Sequence, residues 1–307
     1  MTDEPRIGLA LGGGAARGWA HIGVIEALAE QGVRPQVVTG ASIGALVGAA
    51  LASGKLTELK DWVLGLHRLD VLRLLDASLS GGVIEGNRVM HAIEDIISDR
   101  DIEDLELPFG AAAADLHRGR TVWLREGSTI AAVRASCAMP GLFRPTRYRD
   151  AWLVDGGLVD PVPVTLCRML GAEVVIAVNL SAYRHRLSPR PAQSRSDSIA
   201  ETASRAAEER SYLDQLQQFV VGLFEKNDED DEREPALLDV VSSSINIMQE
   251  RVTRSRLAGD PPELEITPDV QEIGLMDFHR AGLAVERGRR AVEQRADELR
   301  FLVPDDA

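Results

Sequence analysis

The chain has only two cysteines in 307 residues, Cys137 and Cys167, too few for a disulfide framework or a tetrahedral thiolate site. That scarcity points to a reducing compartment. Its six histidines show no H-E-x-x-H spacing, so no helix-borne metal pair is read and no residue is assigned to a metal. Positive charge is short as well: 34 Lys and Arg stand against 48 Asp and Glu, a net charge of -14. Such a chain repels phosphate backbones at long range, which argues against a nucleic-acid binder that works by counterion release. It repels anionic headgroups too, so any membrane contact must be local and peripheral. Lysine occurs only as Lys55, Lys60 and Lys226, and the arginine surplus reads as the codon usage of a GC-rich bacterial genome. Met1 to Arg6 carry acids instead of a basic stretch leading into an apolar run. No secretory signal is read there, and the expected location is the cytoplasm, at most peripheral to the inner membrane. Pro35 to Gly54 runs without a charge and is long enough on paper to span a bilayer. Its proline, polar residues and four glycines fit a short strand followed by a buried helix better.

What the chain does have is an ordinary globular composition, 45% hydrophobic and 27% charged, which excludes wholesale disorder and supports a real core. To about Asn179, short β-branched or apolar runs alternate with helical stretches, the signature of a mostly parallel sheet covered on both faces. Strands are expected at Ile7 to Leu11, Val37 and Val38, Phe109 to Ala114, Val122 to Leu124, Trp152 to Val154 and Val174 to Val178. Helices are expected after the first glycines up to Gly32, and at Ile43 to Leu51, Ile130 to Cys137, Leu237 to Leu257 and Phe278 to Leu299. No period of 20 to 50 residues repeats. The reading is one α/β domain over 1–307 with a polar insertion at 184–235. Within it, an arginine-rich linker leads to an amphipathic helix at 212–224 and an acidic run at Asp228 to Glu232. That helix suits either a homo-oligomer or core contact or a lipid-facing lid.

Gly40-Ala41-Ser42-Ile43-Gly44 is a G-x-S-x-G at an expected strand-to-helix junction, the context of a nucleophile elbow. There Gly40 and Gly44 remove Cβ atoms that would clash with the adjoining strand and helix. The helix N-terminus behind Ser42 favours a developing oxyanion. The plainer alternative is a serine that caps a buried helix. Leu11-Gly12-Gly13-Gly14-Ala15-Ala16-Arg17-Gly18 follows the first strand but fails both phosphate-loop templates. Arg17 stands at the last glycine of G-x-G-x-x-G, and no G-K-[ST] is present. A glycine-rich turn with bare N–H groups suits an oxyanion hole from Gly12, Gly13 and Gly14. Arg17 would hold that loop or contact an acidic headgroup.

A serine alcohol needs a base. His67, His91 and His117 lie in stretches without special context, and a Ser-acid-His order would leave His185 in the linker or His279 inside a helix. Asp155 in Trp152-Leu153-Val154-Asp155-Gly156-Gly157 is the better candidate, an acid at the carboxyl end of an apolar strand with Gly156 behind it. Desolvation in a cleft would raise its pKa toward that of a useful base.

These elements in order, G-G-G-x-x-R-G, G-x-S-x-G and D-G-G, resemble the patatin-like phospholipase family. Ser136, Pro140, Phe143 and Pro145 resemble its S-x-x-x-P-x-x-F-x-P stretch. Ala258 to Pro262 and Asp277 to Arg280 resemble its bacterial RssA-like subgroup. The resemblance covers nearly the whole chain except about 184–235. It implies a three-layer α/β/α sandwich, Ser42 as nucleophile, Asp155 as base, the Gly12 to Gly14 loop as oxyanion hole, and hydrolysis of lipid or other acyl esters without a cofactor. An acyltransferase using the same serine and a non-catalytic lipid-binding regulator are the alternatives. Where many relatives have asparagine, this chain has Asp160 before Pro161. That second carboxylate would either raise the pKa of Asp155 by repulsion or point into solvent.

Overall fold

The computed structural model describes residues 5–74, 86–140, 142–181 and 237–302. The expected insertion at 184–235 and its helix at 212–224 lie outside these residues. The strands are β1 (Ile7–Leu11), β2 (Val37–Ala41), β3 (Phe109–Asp115), β4 (Thr121–Leu124), β5 (Thr146–Tyr148), β6 (Ala151–Asp155), β7 (Val174–Val178) and β8 (Leu264–Ile266). They form one sheet in the order β5-β6-β3-β2-β1-β7-β8, with β4 also paired to β3. The run from β3 through β2, β1 and β7 to β8 is parallel, and β4, β5 and β6 pair antiparallel.

The helices are α1 (Ala20–Glu30), α2 (Ile43–Ala52), α3 (Leu56–Leu64), α4 (Arg68–Leu74), α5 (Asn87–Ile97), α6 (Thr129–Ser136), α7 (Val164–Met169), α8 (Leu237–Gly259), α9 (Ala281–Glu293) and α10 (Ala296–Leu299). Every residue of β1, β2 and β3 is buried, as parallel strands covered on both faces require. On one face α7 packs on Ala10, Val175 and Ala177 through Val164 and Cys167. On the other, Gly48 of α2 brings the helix backbone against Val38, Phe109 and Leu11. The fold is therefore a helix–sheet–helix sandwich. The uncharged Pro35 to Gly54 stretch is β2 plus α2 inside it, and no helix among the described residues is long and apolar enough to cross a bilayer.

Two expectations need adjusting. The helix over Phe278 to Leu299 is a 3₁₀ turn at Phe278–Arg280 followed by α9 and α10; the break lets Leu299 turn into the core. Six elements had no counterpart in the sequence reading: α3, α4, α5, α7, β5 and β8. α4, α7, β5 and β8 are short, and long-range packing decides them, whereas α5 is amphipathic, with Met90, Ile93 and Ile97 buried at helical spacing, a pattern the sequence does carry.

One feature of the sheet positions the site. Ala111 and Ala112 pair with both β2 and β4, while Ala113 pairs with both β4 and β6. A residue has two edges, so β4 takes one edge of β3, and β2 and β6 share the other. Running in opposite directions, they meet end to end. Ala41 stands beside Ala112 and Asp155 beside Ala113, which carries Ser42 and Asp155 to the same point from opposite sides.

Candidate active site

Ser42 follows β2 with φ 55° and ψ −126°, a backbone conformation that costs a β-carbon residue about 1–3 kcal/mol. Its surroundings impose it. A Cβ on Gly40 would lie 2.3 Å from the Gly44 carbonyl, and one on Gly44 would lie 2.3 Å from the Leu11 oxygen. Strand, turn and helix therefore touch backbone to backbone. The Ser42 N–H donates to Ser136 Oγ (2.9 Å), which in turn donates to the Ala112 carbonyl (2.6 Å), tying the turn to β3. The Ser42 hydroxyl makes no capping bond to α2, so capping does not account for this serine.

Asp155 is fully buried at the end of β6. Its Oδ1 accepts the Gly157 N–H at 2.7 Å, while among the described residues Oδ2 has no partner at hydrogen-bond distance. Burial raises the carboxyl to a pKa of about 6, with the nearby Ser42 hydroxyl and the Gly157 N–H opposing the rise. Gly156 is required here because a Cβ would lie 2.1 Å from the Ala112 oxygen. Neither expectation for Asp160 holds. It is buried rather than solvent-facing, with Oδ2 accepting Trp123 Nε1–H at 3.2 Å and Oδ1 4.0 Å from Arg256. The rise at Asp155 comes from burial and not from Asp160.

The glycine loop is more heavily bonded than its composition suggests. Gly12 donates its N–H to Val178 O (2.9 Å) and Gly13 to Pro161 O (3.0 Å). Two of the three expected donors are thus engaged, because the loop is sewn to the end of β7 and to the turn after Asp160. Among described residues, the N–H groups of Gly14 and Ala15 have no hydrogen bond. Ala15 sits at φ 49°. The loop passes Ser42 closely, and a Cβ on Gly13 would be 3.6 Å from Ser42 Cβ. Arg17 Nε donates to the Ile273 carbonyl at 2.9 Å. The Ala16 N–H reaches Leu275 O, and Trp19 Nε1–H reaches Phe278 O, so a C-terminal strap underlies the loop.

Ser42 opens onto a narrow cavity of about 90 Å³. Its walls come from α2 to α5, Met139, Leu142, Phe143 and Phe278, and among the described residues no charged side chain lines it. Such a cavity suits an alkyl chain.

His67, His91 and His117 are exposed, and His279 Nε2 accepts from Arg68. Among described residues no histidine bonds Ser42 or Asp155; His185 lies outside them. Sequence reading missed His21 and Cys137. His21 is buried beneath the glycine loop. Burial together with the charge of Asp155 holds the Cys137 thiol far above its usual range, with the Ser42 hydroxyl opposing. A histidine inside an apolar helix and a cysteine beside a recognised serine carry no local spacing signal.

Residues 9–168 match the family model described as patatin-like phospholipase. An uncharacterized NTE family protein of Mycobacterium tuberculosis is 32% identical over 342 positions, covering 99% of this chain and 94% of its own length. A protein named lysophospholipase from Emericella nidulans is 33% identical over 184 positions, 57% of this chain and 12% of that protein. Among solved structures, VipD from Legionella pneumophila aligns with a TM-score of 0.56 at 15% identity, covering 96% of this chain and 67% of that one. At that identity the likeness bears on the fold alone.

Proposed function

This chain belongs to the patatin-like phospholipase family, and we propose that it is a serine acyl hydrolase working through a Ser42–Asp155 dyad and an acyl-enzyme. The observation that carries the reading is the unpartnered, fully buried Asp155 Oδ2 close to a serine hydroxyl that does no capping. A carboxyl with a pKa of about 6 is largely ionised at pH 7 yet basic enough to take a proton.

In this mechanism Ser42 Oγ attacks the ester carbonyl carbon while Asp155 Oδ2 takes its proton. The carbonyl oxygen, now an anion, is met by the N–H groups of Gly14 and Ala15 and by the N-terminus of α2. Gly12 and Gly13 serve as the loop's anchors instead of as donors. Collapse breaks the ester C–O bond, and the departing alkoxide takes the proton from Asp155. Water then attacks the acyl-Ser42 carbonyl by the same proton path in reverse, releasing the fatty acid. The uncharged pocket holds the acyl chain, so phospholipids, lysophospholipids and simpler acyl esters are the substrate class.

Intact-mass detection of fluorophosphonate labelling tests this without guessing a substrate. A single adduct on the wild type, lost in Ser42→Ala and suppressed in Asp155→Asn, is the expected result. No adduct on folded wild type, or an adduct that survives Ser42→Ala, would sink the reading.

A further inference from the structure

His21 lies in the first turn of α1, fully buried, with Nε2 at 2.7 Å from the Gly12 carbonyl oxygen. A carbonyl only accepts, so the proton is on Nε2. The other ring nitrogen, Nδ1, is buried with no hydrogen-bond partner among the described residues. A buried polar atom left unsatisfied costs about 1–3 kcal/mol, and an aliphatic side chain of similar size would avoid that cost. What the imidazole supplies over an aliphatic side chain is the bond to Gly12. Burial also keeps the ring neutral, lowering its pKa to about 4.

That bond completes a set. The peptide unit between Gly12 and Gly13 has its carbonyl held by His21 and its N–H held by Pro161 O at 3.0 Å. The preceding N–H, of Gly12, is held by Val178 O at 2.9 Å. Two adjacent glycines form a hinge with little intrinsic resistance to rotation of this peptide, so its orientation depends on these clamps. The next two N–H groups along the chain, those of Gly14 and Ala15, are unengaged.

We propose that His21 is a positioning residue for the oxyanion donors: its Nε2–H clamps the Gly12 carbonyl and so keeps the following N–H groups aimed at the reacting carbonyl of the substrate. The proposal rests on the acyl-hydrolase reading above. It assigns His21 no proton transfer and no contact with substrate.

The test compares His21→Met, which keeps bulk and loses the donor, with His21→Gln, whose amide reaches as far as Nε2, and His21→Asn, which falls short. The probes are a p-nitrophenyl ester and an alkyl trifluoromethyl ketone. Ser42 Oγ adds to the ketone carbon, its proton passes to Asp155, and the ketone oxygen becomes the anion the loop must hold. The Met and Asn variants are expected to lose about 10- to 100-fold in kcat and in ketone affinity while KM moves about threefold or less. The Gln variant is expected to stay within about threefold of wild type in all three, because the clamp is restored. Nitrogen NMR of the wild type is expected to show an Nε2–H tautomer. An Nδ1–H tautomer, or equal ketone affinity in the Gln and Asn variants, overturns the proposal even if the Met variant does not fold. Wild type inert toward both ester and fluorophosphonate would instead sink the hydrolase reading itself. An active wild type with an unaffected His21→Met sinks only the role of His21.

Discussion

The floor and the wall of the candidate site are built by different physics. The floor, made of the glycine loop, the Ser42 turn and the Asp155 turn, is backbone against backbone. A single added Cβ at Gly40, Gly44 or Gly156 would come within 2.3 Å of a peptide group. The wall, from α2 to α5 with Met139, Leu142, Phe143 and Phe278, is side chain against side chain around a cavity with no charged lining among the described residues. Backbone contacts cannot give, whereas packed side chains can repack. Substitutions in the floor should therefore act on catalysis or folding outright, and those in the wall should act on which acyl chain is preferred.

The largest expected effect is in the floor. Asp155→Asn keeps the shape of the carboxyl and the bond from Gly157, but removes the base, and kcat should fall about 10³- to 10⁴-fold. Steady-state rates on a short p-nitrophenyl ester check this, and activity within tenfold of wild type would remove Asp155 from the mechanism. The same carboxyl, with its pKa near 6, predicts that wild-type kcat/KM falls as pH drops below about 6. A flat profile down to pH 4.5 would count against it.

Next come two glycines, one from each region. Gly156→Ala drives a Cβ to 2.1 Å from the Ala112 oxygen, and strand β6 must shift, at a cost of about 3 kcal/mol or more. Gly65, which follows α3 beside the wall, has room for a methyl group: a Cβ there would come no closer than 3.5 Å to a neighbour, the Trp62 oxygen. Gly65→Ala should change stability by no more than about 0.5 kcal/mol. Urea unfolding of the pair breaks the comparison if both variants cost the same.

A smaller and selective effect is expected in the wall. Phe278 packs edge-on against Trp19, with ring centroids 6.0 Å apart and planes at 66°, and it lines the pocket. Phe278→Ala removes apolar surface that an acyl chain would cover, which is worth about 1–2 kcal/mol. KM for a decanoyl ester should rise about tenfold while the acetyl ester is unchanged. An equal loss on both esters would mean that the strap supports the floor instead of the chain.

The same division explains what could be read from the sequence. Floor motifs are contiguous, since a turn that must expose Ser42 needs Gly40 and Gly44 at fixed offsets, and a strand end that must expose Asp155 needs Gly156 directly behind it. Local chemistry dictates local spacing. The wall has no such rule. Val71, Met90, Phe143 and Phe278 line one cavity from four distant stretches, and nothing in any of them requires the others. Bonding partners were equally invisible. That Gly12 and Gly13 spend their N–H groups on Val178 and Pro161 depends on where β7 and the Asp160 turn come to rest. The burial of Asp160 against Trp123 depends on the same long-range packing.

The floor also holds two buried titratable groups whose effects on stability oppose each other. Unfolded, His21 would bind a proton below its ordinary pKa of 6.5; folded, it resists protonation down to about 4. Acidification from pH 7 to 4 therefore favours the unfolded chain and removes stability of order 3 kcal/mol. Asp155 runs the other way. It binds a proton near pH 6 when folded but only near 3.8 when unfolded. Lowering the pH through 6 thus adds stability of the same order, and raising it through 6 takes that stability away. In the wild type the two contributions nearly cancel over this window, and their sum is the smallest of these effects. Removing either group exposes the other. Measured by urea midpoints from pH 7 to 4, Asp155→Asn should lose stability more steeply than wild type on acidification, and His21→Gln should lose it less steeply. Parallel curves for all three proteins would mean that neither group is as dry in the folded protein as its position implies.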